Sequence, residues 1–94
     1  MATPISGLMT VTTAGTALAL GTQIIAAPLL VKALTTNTGL MYIGSDGAGD
    51  VASTNGYPLL PGEEVLFEHV SSLASVFVDS AVNGEGVAWL IISA

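Results

Sequence analysis

The chain has one histidine, His69, no cysteine and a single basic side chain, Lys32. Any catalysis must therefore be built from carboxylates, hydroxyls and that one imidazole. A general base works only within hydrogen-bond reach of the group it activates. Glu68 adjoins His69, but neighbours on a strand point to opposite faces. Ser71 and Ser72 are close in sequence, yet a serine nucleophile needs a sharp turn and oxyanion donors, and no Gly-x-Ser-x-Gly elbow is present. His69 therefore reads as a structural residue near a strand end.

The acids give no stronger pattern. Asp46 and Asp50 stand four apart in a Gly-rich loop, but calcium loops place ligands at alternating positions and close with a bidentate acid. The same loop has no lysine and no following helix, so it does not cradle phosphate. Glu63 and Glu64 are adjacent, face opposite ways on a strand and cannot flank one bond. Tyr42, Tyr57, Phe67, Phe77 and Trp89 are scattered and read as core and interface residues, not as a sugar-stacking platform. No residue is assigned a catalytic, metal-ligating or cofactor-binding role. No cofactor is expected and the chain is read as a non-enzyme. The absence of cysteine removes disulfides and thiolate chemistry.

Composition supplies the main clue. Charged side chains make up 9% of the 94 residues and apolar ones 51%, where a soluble domain carries about 25% charged. The exterior must then be hydroxyl-rich, or covered by other subunits, because exposed apolar patches mark interaction sites. The net charge of −6 with one basic residue argues against nucleic acid, whose phosphates need several Lys or Arg. It argues equally against an anionic membrane surface. The first ten residues have no basic region and do not read as a signal peptide. The apolar stretch 17–34 is broken by Gly21, Pro28 and Lys32, so it is a poor membrane span.

The elements that must position these residues are strands. Eleven Gly and four Pro interrupt every segment long enough for a helix. Thr, Val, Ile and Leu recur in short alternating runs between turn residues. Strands are expected at 8–13, 16–20, 29–36, 40–44, 57–60, 63–70, 73–79 and 87–92, with 24–28 a loop or edge because of Pro28. Turns at Ala14-Gly15, Asn37-Thr38-Gly39 and 82–86 suggest hairpins, and Asn37 and Gly39 suit positive φ. Lys32 falls between Leu30 and Leu34 on one face, as a solvated lysine or one half of an inter-subunit ion pair. The expected architecture is a single all-β domain, residues 1–94. It is a small sandwich or barrel of seven to eight mainly antiparallel strands, with 1–7 as a flexible arm.

The order of motifs has a resemblance of its own. VTTAGTALAL at 11–20 is followed by LLVKALTTNTGLMYIGSDG at 29–47, YPLLPGEEV at 57–65 and VFVDSAVNGEGVAWLI at 76–91. This order resembles small virion structural proteins of tailed bacteriophages and prophages, over about 80% of the chain. The resemblance implies a β-sandwich or barrel subunit that decorates or cements the capsid surface. Its partners would be further copies of itself, with a trimer favoured, and the major capsid protein. The termini and the loop 45–55 would be its contact elements. A tail or fibre module binding a receptor or carbohydrate is the alternative, and a small hydrolase ranks last.

Overall fold

The computed structural model describes residues 6–45, 51 and 56–92. Over these the protein is nearly all β, as its patterning predicts. The strands are β1 Ser6–Val11, β2 Leu18–Ala19, β3 Ile24–Ala33, β4 Met41–Gly44, β5 Tyr57–Leu59, β6 Glu64–Ser72, β7 Phe77–Ser80 and β8 Glu85–Ile91. Residues 73–79 were expected to be one strand, but they begin with a 3-10 turn, Leu73–Ser75. Ser72 caps that turn through a hydrogen bond from the Ala74 N–H. Ser6 and Gly7 belong to β1, paired with Leu90 and Trp89.

Every pairing is antiparallel. β1 pairs β8, β2 pairs β7, β3 pairs β6 and β4 pairs β5, so the pairs nest like one long hairpin whose tip is the β4–β5 connection. Rolling that hairpin adds β3–β8 and β4–β7. The result is two four-stranded sheets, β1-β8-β3-β6 and β2-β7-β4-β5. This order is that of a jelly roll, two Greek keys in a sandwich.

The three local hairpins expected from the turn residues do not form. β1 and β2, β3 and β4, and β7 and β8 lie in opposite sheets. The reason is burial. A local hairpin would keep both strands in one sheet, whereas crossing sets their inner faces against each other. Leu29 and Val31 of β3 thus share one core with Met41 and Ile43 of β4. Full burial of each such side chain contributes about 1.5–3 kcal/mol.

Pro28 is a second correction. It lies inside β3, a central strand flanked by β8 and β6. The register between β3 and β6 slips on either side of Ala27, and such irregularities admit a residue without an N–H. The Pro28 carbonyl is still used, accepting from the Ile92 N–H.

Candidate functional site

The β1–β2, β3–β4, β5–β6 and β7–β8 connections, all crossing between the sheets, gather at one end of the sandwich, and polar side chains tie them down. Asn37 is buried. Its Nδ2 donates to the Gly86 carbonyl at 2.9 Å and its Oδ1 accepts from the Gly86 N–H at 3.2 Å. The side chain thus imitates a strand's own backbone pairing. Next to it, the Glu85 carboxylate accepts from the Thr38 N–H, the Thr38 hydroxyl and the Gly39 N–H, at 2.6, 2.8 and 3.0 Å. The Thr38 N–H does most to hold the Glu85 carboxyl below the usual carboxylate range; partial desolvation opposes it, and the Gly39 N–H and Thr38 hydroxyl add to it.

Two further acceptors fasten the β1–β2 connection. Asn83 Oδ1 accepts from the Ala14 N–H at 2.7 Å. Asp79, buried on β7, accepts from the Gly15 and Ser80 N–H groups at 2.9 and 2.8 Å through one oxygen. Glu63 does the same on a smaller scale, accepting from the Leu60 N–H of its own turn.

Glycines let these loops close. Gly39 does not adopt the positive φ expected of it. A Cβ there would stand 2.9 Å from Val82 Cγ2, so the position requires close approach of the β7–β8 connection. At Gly86 a Cβ would collide with the Met9 carbonyl oxygen of β1, which is backbone and has no room to move.

The opposite end holds an open cleft of about 370 Å³, lined among others by Phe67, His69, Ser71 and Ser75. His69 is exposed, with no hydrogen bond to either serine among the described residues. The Ser75 hydroxyl is committed to the Ser72 carbonyl at 2.7 Å. A base, a nucleophile and an orienting group are therefore not assembled there. Asp46 and Asp50 lie outside the described residues. Among those described, no group of three His, Asp or Glu could hold a metal, and no helix is long and apolar enough to cross a membrane.

A third region is the outer face of the β1-β8-β3-β6 sheet. Leu30 is in register with Leu90 on one side and Leu66 on the other, so three leucines form a row across three strands. Leu66 is 54% exposed and Leu90 40%. Leu8 and Ile92, at 67% and 51%, widen the patch. Lys32 pairs in register with Ala88 and Glu64 in the adjacent row, and Glu68 is exposed further along β6. An apolar centre with charges at its margin is the anatomy of a protein interface.

No protein-family model, no curated protein and no solved structure matches the chain. The loop-binding roles of Asn37, Asp79, Asn83 and Glu85 escape a reading by turn propensity. The usable signal was that Asn and Glu recur inside the Asn37-Thr38-Gly39 and Asn83-Gly84-Glu85-Gly86 turns, although pairing the two turns needs the fold.

Proposed function

We propose that the chain is a non-catalytic structural subunit of a tailed-phage virion. It is a capsid decoration protein that associates with itself, as a trimer by the resemblance, and with the major capsid protein to stabilise the assembled head. The observation that carries this reading is the use made of polar side chains. Asn37, Asp79, Asn83, Glu63 and Glu85 are spent on backbone groups in and beside the connecting loops, while large apolar side chains such as Leu8, Ile24 and Leu66 are exposed. Such a molecule is stiffened internally and presents surface for contact.

The motif order at 11–20, 29–47, 57–65 and 76–91 carries the virion part of the reading, as a resemblance. Jelly rolls build both viral capsid and lectin domains, so the architecture is compatible with decoration and with the fibre alternative and does not choose between them. Decoration works by mass action: each bound copy favours the closed shell, and repetition multiplies weak contacts.

The test is co-sedimentation with undecorated shells of the cognate major capsid protein. Saturable binding, and shells that then resist heat or denaturant better, are expected. Failure to bind, together with specific hits on a glycan array, would overturn the decoration role in favour of the fibre module.

A further inference from the structure

We propose that the outer face of the β1-β8-β3-β6 sheet binds a second copy of the chain, leucine row on leucine row, about a two-fold axis. The inference rests on the reading of the protein as a self-associating subunit and names the surface involved.

Charge selects this face. With seven acids and one Lys or Arg in the whole chain, most self-contacts set acid against acid or against neutral surface. Like charges brought together across an interface cost several kcal/mol. Only a contact that includes Lys32 offers two copies a basic side chain for their acids. Lys32 lies on the face with the exposed leucines, in register with Glu64 and one row from the Leu66–Leu30–Leu90 line.

The geometry is self-complementary. A two-fold axis along the leucine row lays each leucine on its counterpart and keeps the strands of the two sheets aligned, as stacked sheets prefer within about 30°. The same rotation brings the Lys32 side of one copy over the Glu68 side of the other. Glu68 of the second copy then lies over Glu64, with Lys32 one strand away on β3 to bridge the two carboxylates, and the arrangement repeats on the far side, as an isologous interface requires. Pairing edge to edge along β6 sets the same acids together without Lys32, which lies one strand inward on β3. A two-fold contact does not by itself build a trimer, so a trimer would need a second surface.

The experiment mixes two full-length variants, K32E and the double variant E64K/E68K, and follows mass by sedimentation velocity. All three positions are exposed, and circular dichroism checks that each variant is folded. Wild type is expected to self-associate. Each variant alone should weaken that association by about tenfold or more, through three like charges at each site. The equimolar mixture should restore it as a one-to-one heterodimer. L66S/L90S should remain folded and lose association. A wild-type chain that stays monomeric, or variants that associate unchanged alone and do not prefer each other, would overturn the contact. Capsid binding that persists in those cases would leave the virion reading standing, and its loss would end both.

Discussion

Asn37 and Gly86 hold each other by two reciprocal hydrogen bonds between one side-chain amide and one residue's backbone, 49 positions apart in the chain. The pair joins the β3–β4 connection to the start of β8. It does so where β1 approaches so closely that only glycine fits. Several consequences of this closure can be measured.

Asn37→Ala leaves the Gly86 N–H without its buried acceptor and removes one of two donors to the Gly86 carbonyl, which the Leu34 N–H still reaches. An unsatisfied buried group costs about 1–3 kcal/mol, so a loss of about 1–3 kcal/mol is expected in urea unfolding. Asn37→Asp keeps the acceptor but turns the donor into an oxygen facing the Gly86 carbonyl, and it should be no better than alanine at pH 7.

Gly86→Ala should be the more damaging. The added methyl meets the Met9 carbonyl of a paired strand, so relief requires β1 to move off β8. A loss of at least about 3 kcal/mol is expected, with faster hydrogen exchange along β1. Gly84 is a useful contrast. Nothing lies within 4 Å of a Cβ there, so Gly84→Ala should cost only the strain of positive φ, about 1 kcal/mol.

Glu85 gives the pH dependence. Its carboxyl is held below the ordinary value of 4.5, so its folded form favours ionisation more than the unfolded chain does. The stability it adds is complete above that ordinary value and is lost as pH falls through the lower folded one. Urea unfolding of wild type and Glu85→Gln from pH 7 to 3 should show the variant less stable at pH 7, with the gap closing in acid. A gap that stays constant would assign the effect to packing.

Asp79→Ala should cost about 2–4 kcal/mol, since the Gly15 and Ser80 N–H groups lose their common acceptor. Exchange of the Gly15 amide should rise more than that of the β4 amides. Asp79→Asn keeps an acceptor oxygen and should lie between.

The fold was legible in the sequence up to the point where partners are chosen. Alternation in 63–70 sets Val65 and Phe67 against Glu64, Leu66 and Glu68, as the burial of β6 has them, because period two is a property of one strand. It carries no information about which strand lies alongside. β1 pairs with β8, near the other end of the chain, whereas the turn residues Ala14 and Gly15 suggest its sequence neighbour β2 instead. Pro28 misled for a related reason. Its cost in a central strand depends on whether the register slips there, and that slip belongs to the pairing. The loop clamps were hidden for the same cause, since the Glu85 carboxylate is useful only once Thr38 lies beside it. The leucine row could have been inferred only after β8, β3 and β6 were known to be adjacent.

The central claim is that the scarcity of charge leaves surface for other copies of the chain. Light scattering across a range of protein concentrations tests it most directly. The account predicts a particle of two or more times the 9.4 kDa chain at physiological salt, falling apart on dilution and on introduction of K32E. A mass that stays at one chain up to millimolar concentration would contradict it.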